Sequence, residues 1–189
     1  DLLSTSASDG LTIIEAPMGD GKTEAALYLA TQFMKHGGGL YVALPTATTS
    51  NQMFERVKAF LQEHDDSGAA TLQLVHGTSW LVDRTAPELP PDLAGAGDDA
   101  EEHLALDWFR PKKRSLLATY GVGTIDQALM SVLHVKHGFL RLFGLSGKVL
   151  VVDEVHAYDA YMTEMLTLLL AWCRALSIRV ILLSATLPQ

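Results

Sequence analysis

Two short stretches of the chain carry the residue types of phosphate chemistry. The first reads Ala16-Pro17-Met18-Gly19-Asp20-Gly21-Lys22-Thr23 and departs from the G-x-x-x-x-G-K-[ST] loop only in its first residue, an alanine. Gly19 and Gly21 let the backbone curl until successive N–H groups point inward at an anion. A helix starting there adds its positive N-terminal end, and Lys22 adds a mobile cation. Thr23 would offer its hydroxyl to Mg²⁺. Gly19, Asp20, Gly21, Lys22, Thr23 and Glu24 are therefore the candidate nucleotide-binding residues. The plain alternative, a glycine-containing strand-to-helix turn, is disfavoured because apolar run, loop, Lys-Thr and helical period occur in the required order.

The second stretch reads Val149-Leu150-Val151-Val152-Asp153-Glu154-Val155-His156, four apolar residues that deliver a carboxylate pair to the end of a strand. Asp153 would hold Mg²⁺ opposite Thr23, directly or through water, and Glu154 is placed to orient and deprotonate an attacking water. An isolated Asp-Glu at a strand end is more often a helix N-cap followed by a first-turn acid. The P-loop reverses that preference. Lys22, Asp153, Glu154 and His156 are the candidate catalytic residues, and Thr23 and Asp153 the candidate metal ligands.

These residues need a scaffold that brings them together. Short β-branched and leucine-rich runs alternate with stretches of helical period, which predicts an α/β fold with a mostly parallel sheet and helices on both faces. The expected strands are Leu11 to Glu15, Leu40 to Leu44, Leu72 to Val75, Ser115 to Thr119, Lys148 to Val152 and Arg179 to Leu183. The expected helices are Lys22 to Lys35, Thr49 to Gln62, Thr124 to His134 and Tyr158 to Ala175. A parallel sheet presents all its carboxyl ends at one edge, where ligands bind. The P-loop, Pro45-Thr46, the segment Tyr120 to Gln127, Asp153 to His156 and Ser184 to Thr186 should then form one site.

Composition narrows the classes. The 189 residues are 48% hydrophobic and 19% charged, enough for a one-domain core and too apolar for a disordered tail. No apolar stretch approaches the roughly 20 residues of a membrane span, and Asp1 opens no signal peptide, so the chain reads as a piece of something longer. A single cysteine, Cys173, forms no internal disulfide and suits a reducing cytoplasm. The net charge of −8 argues against coating duplex nucleic acid through bulk positive charge. Residues 85–107 hold Pro87, Pro90, Pro91, Gly95 and Gly97 among acids and read as an exposed acidic insertion. The basic run Pro111-Lys112-Lys113-Arg114 reads as a solvated turn, and Tyr41, Trp80, Trp108 and Trp172 as packing residues. His64-Asp65 is the only His-Asp dipeptide and sits among polar residues, so no metal-nuclease centre is expected; His134 and His137 lie near a helix end, where histidine complements the dipole.

The motifs together resemble the superfamily 2 helicases and translocases: an Ala-x-x-Gly-x-Gly-Lys-Thr P-loop, a DExH box at Asp153-Glu154-Val155-His156 and a motif III at Ser184-Ala185-Thr186. No Asn-Lys-x-Asp guanine motif is present. The stretches Leu44 to Arg56, Val122 to Leu129, and Lys136 to Leu145 leading to Asp153-Glu154-Val155-His156-Ala157-Tyr158-Asp159 are similar to the large helicase–nuclease family of type I CRISPR interference. That resemblance implies a first RecA-like domain using ATP and Mg²⁺ to reel in single-stranded DNA opened by a guide-RNA surveillance complex. An upstream His-Asp nuclease domain and a downstream second RecA-like domain are implied as partners. It also implies strand-backbone contacts at Pro45, Thr46, Thr49, Asn51 and Gln52 (motif Ia) and at Thr124, Asp126 and Gln127 (motif Ib).

Hydroxyls, amides and helix N-termini can hold phosphates without much positive charge, although Thr49 and Thr124 also suit ordinary helix caps. Ser184, Ala185 and Thr186 are expected to couple nucleotide state to the DNA groove through His156 or its neighbours. Lacking the second domain's arginine fingers, worth about 10³ to 10⁵ in rate, the chain alone is expected to hydrolyse ATP very slowly. Alternative readings are an RNA helicase of the same superfamily and a docking module that binds nucleotide without turnover.

Overall fold

A computed structural model describes residues 10–17, 19–34, 38–64, 72–75, 115–133 and 138–185. Six strands, β1 (Leu11–Glu15), β2 (Gly39–Leu44), β3 (Leu72–Val75), β4 (Tyr120–Thr124), β5 (Lys148–Val152) and β6 (Arg179–Ser184), form one sheet in the order β1-β6-β5-β2-β4-β3. Every pairing is parallel, so all carboxyl ends share one edge. The described helices are α1 (Lys22–Met34), α2 (Ala47–His64), α3 (Ile125–Leu129), α4 (Gly138–Leu145) and α5 (Ala160–Ala175).

Two apolar cores explain why the sheet is covered on both faces. One face of the central strands buries Tyr41, Ala43, Leu150, Val152, Val180 and Leu182 beneath α3 and α5. The other buries Leu40, Val42, Leu44, Val149, Val151, Ile181 and Leu183 against α1 and α2, through Ala26, Leu27, Ala30, Met53 and Val57. Strands β2 and β5 are buried at every position, as expected of strands covered on both faces. The chain leaves β2 along the α2 face toward β3 and leaves β5 along the α5 face toward β6. The crossovers diverge between these neighbours and open a crevice at their carboxyl ends.

The fourth strand lies five residues later than its apolar run suggests. Ser115–Leu117 is a 3-10 turn, and the strand is Tyr120–Thr124. Leu116 is buried while Leu117 is 41% exposed. Gly121 and Gly123, which the expected strand placed beyond its carboxyl end, stand beside Tyr41 and Ala43 of β2. Small residues there accommodate the fully buried Tyr41 ring. The Tyr41 hydroxyl donates to the Thr124 carbonyl at 3.1 Å.

Helix ends also differ from expectation. α2 begins two residues earlier, at Ala47, because Thr46 and Thr49 cap it reciprocally. The Thr49 N–H donates to Thr46 Oγ1 at 3.2 Å, and the Thr46 N–H to Thr49 Oγ1 at 3.3 Å, the pattern of a capping box with threonine at both positions. The helix expected over Thr124 to His134 stops at Leu129 and gives way to turns. α4 was not anticipated, because Gly138 and Gly144 interrupt its period. A Cβ at Gly144 would lie 2.7 Å from the Leu116 carbonyl oxygen, so glycine lets helix and turn meet.

Lys148, buried at the opposite sheet edge, donates to the Leu116 and Gly144 carbonyls, and burial pulls its ammonium down to about 8. Trp172 is 44% exposed on α5 and is not a core residue as expected, whereas Tyr41 is. Residues 85–107, Trp80, Trp108, the 111–114 run, Lys35, Asp65, His134, His137 and Thr186 lie outside the described residues. Among the described residues no helix is long and apolar enough to cross a membrane.

Candidate nucleotide site at the carboxyl edge of the sheet

β1 ends at Glu15, and the chain turns through Ala16 to Gly21 before α1 begins at Lys22. Gly19 at φ 90° and Gly21 at φ 74° occupy the left-handed region, where a side chain is strained. The first helical bond runs from the Ala25 N–H to the Gly21 carbonyl at 3.0 Å. The N-terminal amides of α1 therefore open toward the loop, as an anion cradle requires. Lys22 Nζ curls over this loop and donates to the carbonyls of Ala16 and Pro17, the latter at 2.8 Å. Phosphate oxygens would be stronger, charged acceptors for the same ammonium.

α1 packs beneath β5 and β6, which bring Asp153 to the same edge. The Asp153 N–H donates to the Ala43 carbonyl at 2.9 Å, extending the β5–β2 ladder by one bond. Burial raises the Asp153 carboxyl above its ordinary range. The Glu154 N–H, which donates to Asp153 Oδ1 at 2.8 Å, and the positive charges of Lys22 and Arg56 oppose that rise. The parallel pairing β1-β6-β5 sets the P-loop and Asp153 on the same sheet edge, and the Lys22 charge favours the ionised Asp153 carboxyl.

Glu154 follows with φ 54° and ψ 39°, a left-handed conformation costing a non-glycine residue about 1 to 2 kcal/mol. A 3-10 turn over Val155–Ala157 comes next, then Tyr158, and Asp159 caps α5 by accepting from the Met162 N–H at 2.8 Å. Tyr158 thus precedes α5, where the sequence suggested it would begin the helix. Its hydroxyl donates to the Asp153 carbonyl at 3.2 Å.

The end of β6 meets this turn. The Ala185 N–H donates to His156 Nδ1 at 3.3 Å, so Ala185 and His156 are directly linked. Ser184 is buried as the last residue of β6.

The donor set suits Mg²⁺ held jointly with nucleotide phosphates. Thr23 supplies a hydroxyl and Asp153 a carboxylate, hard oxygen ligands of the kind that complete a phosphate-bound Mg²⁺. Among the described residues no group of three or more His, Cys, Asp or Glu could hold a metal ion unaided.

Of the expected strand contacts, Pro45 is half-buried beside the crevice, Thr46 is exposed, and Asn51 and Gln52 are exposed on α2. Thr46 and Thr49 also carry out the helix capping. Thr124 is buried at the end of β4, in the N-cap position of α3 without a side-chain cap bond. Asp126 is exposed and Gln127 half-buried on α3.

Sequence reasoning missed Arg56 and Tyr158. Arg56 pairs with Glu24 in the first turn of α1 and holds its carboxyl below the usual range, tying α2 to the P-loop helix. The available signal was spacing: Arg56 lies seven residues after Thr49, two turns along the same side of α2.

A parallel sheet covered on both faces, with a glycine-lysine-threonine loop after one strand and a carboxylate pair after another, defines a RecA-like P-loop domain. No family model matches the chain. Individual proteins do. The chain is 46% identical over 197 residues to the CRISPR-associated endonuclease/helicase Cas3 of Thermus thermophilus, an alignment covering 99% of this chain and 21% of that protein. A crystal structure of T. fusca Cas3 with AMPPNP superposes with a TM-score of 0.78 at 48% identity, covering 94% of this chain and 19% of that one. A CRISPR RNA-guided surveillance complex in a pre-nicking state contains a chain matching at 41% identity and a TM-score of 0.63, over 95% of this chain and 16% of that one.

The chain belongs to the Cas3 helicase–nuclease family and has its RecA-like fold. It spans about one fifth of the length of the curated relatives it matches.

Proposed function

We propose that the chain is the ATP-binding motor domain of an ATP-dependent single-stranded DNA translocase acting in CRISPR interference. The observation that carries this reading is the parallel sheet order β1-β6-β5, which delivers the Lys22 loop and the Asp153–Glu154 turn to one carboxyl edge. The Gly19–Thr23 backbone cradles the phosphates, and Lys22 exchanges the Ala16 and Pro17 carbonyls for phosphate oxygens. Thr23 and Asp153 hold Mg²⁺, which when bound neutralises phosphate charge. Glu154 orients a water and accepts its proton. Ala185 and His156 pass the change at the phosphates to β6, and α2 and α3 present motif Ia and Ib residues to the DNA backbone.

The similarity to T. fusca Cas3 with AMPPNP supports the nucleotide, and the match within a surveillance complex supports that partner. A second RecA-like domain and a His-Asp nuclease domain are the proposed partners in a longer parent chain, and the cytoplasm is the proposed compartment. Without the second domain, this chain turns over ATP very slowly.

ATPase assays of the full-length parent with single-stranded DNA, RNA or no nucleic acid separate the readings. Single-stranded DNA should stimulate most. Equal stimulation by RNA would favour an RNA helicase, and nucleotide binding without stimulated turnover would favour a docking module.

A further inference from the structure

We propose that Tyr158 is a positioning residue for the hydrolytic pair: its hydroxyl, bonded to the Asp153 carbonyl, holds the Asp153–Glu154 peptide so that Glu154 keeps its left-handed conformation. The inference rests on Glu154 acting on water as described above. It concerns what keeps that carboxylate in place.

Glu154 is one of two described non-glycine residues with positive φ, the other being Ser177 beyond the end of α5. Such a conformation persists only where the surroundings impose it. Both polar atoms of the peptide entering Glu154 are anchored. Its N–H donates to Asp153 Oδ1 at 2.8 Å, and its carbonyl, that of Asp153, accepts from the Tyr158 hydroxyl at 3.2 Å. One residue earlier, the Asp153 N–H is fixed to the Ala43 carbonyl of β2.

These anchors differ in origin. The Ala43 bond belongs to the sheet, and the Oδ1 bond is local and engages a group assigned to metal binding. Only Tyr158 ties the peptide to the apolar interior, because its ring packs against the core formed by Leu150, Val152, Leu166 and Leu169. A phenolic hydroxyl keeps its proton at neutral pH, so the group is available as a donor. Without it the peptide can rotate, and a displacement of Glu154 on the order of 1 Å is enough to slow a positioned proton transfer.

The test is Tyr158→Phe in the full-length parent, a change that keeps the ring and deletes the hydroxyl. The inference predicts that DNA-stimulated kcat falls about tenfold while KM for ATP changes less than twofold. Amide exchange should accelerate in the Asp153–Ala157 turn and not in β5 or β6. Unchanged kcat, or a uniform rise in exchange through the core with kcat preserved per folded molecule, would overturn it and leave Tyr158 a packing residue.

Glu154→Gln run in parallel separates this inference from the one beneath it. If that variant retains full turnover, the hydrolytic assignment fails. If it is inactive while Tyr158→Phe is normal, only the positioning role fails. Should Tyr158→Phe fold poorly, Tyr158→Trp offers an indole donor in place of the hydroxyl, and kcat partly restored relative to Tyr158→Leu supports the role; equal kcat in the two contradicts it.

Discussion

The Ala185 N–H donates to Nδ1 of His156 across 3.3 Å, joining the turn after β5 to the end of β6. A main-chain amide can only donate, so Nδ1 is the unprotonated nitrogen and the proton of neutral His156 resides on Nε2. A shift at Asp153 or Glu154 therefore has a direct route into β6. His156→Ala removes that route, and ATP consumed per nucleotide travelled should rise severalfold, in keeping with coupling energies of about 0.5 to 2 kcal/mol. His156→Gln, whose side-chain carbonyl can accept from the same amide, should recover part of the loss. Single-molecule translocation with parallel ATPase measurement gives the ratio.

Gly21 sits at φ 74°, and a Cβ added there would have Glu24 Oε2 as its nearest neighbour, at 4.0 Å. Alanine there meets no steric wall, so its penalty is conformational, about 1 to 2 kcal/mol. Relaxing the loop relieves that penalty but turns its amides away from the anion, so Gly21→Ala should weaken binding of a non-hydrolysable ATP analogue roughly tenfold, as read by calorimetry, with little loss of melting temperature.

Burial raises the Asp153 carboxyl above its unfolded value. The folded chain therefore binds that proton more tightly, and this contribution to stability is lost as pH rises through the raised pKa. Asp153→Asn preserves the acceptor for the Glu154 N–H and carries no charge. It should be more stable than the wild type at pH 7, with the difference shrinking as pH falls through the carboxylate range. Urea denaturation at several pH values checks this, and an asparagine variant less stable at pH 7 would contradict it.

Tyr41→Phe removes a buried hydroxyl and leaves the Thr124 carbonyl without its partner. A stability loss of about 1 kcal/mol is expected from denaturant unfolding, concentrated where β4 hands over to α3.

What was legible in the sequence was contiguous. The Asp153–His156 turn follows the uninterrupted apolar run Val149 to Val152, and the P-loop follows a short β-prone run whose glycine-lysine-threonine pattern marks its end, so local order alone placed both at strand ends. β4 was misplaced because its glycines matter only beside Tyr41, a neighbour 80 residues away in register with Gly121. Arg56 and Tyr158 escaped notice because their partners, Glu24 and the Asp153 carbonyl, become evident only once α2 lies beside α1 and the turn has closed. The hydroxyls of Thr46 and Thr49 were legible as residues but ambiguous in role, since capping and phosphate binding select the same side chains.

The claim beneath all of this is that Lys22 and the Asp153–Glu154 pair act on one bound triphosphate. The direct measurement is nucleotide affinity and DNA-stimulated hydrolysis in the full-length parent carrying Lys22→Ala or Glu154→Gln. Lys22→Ala should lose binding and turnover together, whereas Glu154→Gln should bind the nucleotide normally and lose turnover by at least about a hundredfold. Hydrolysis that survives either change would show that the two ends of the site do not serve the same nucleotide.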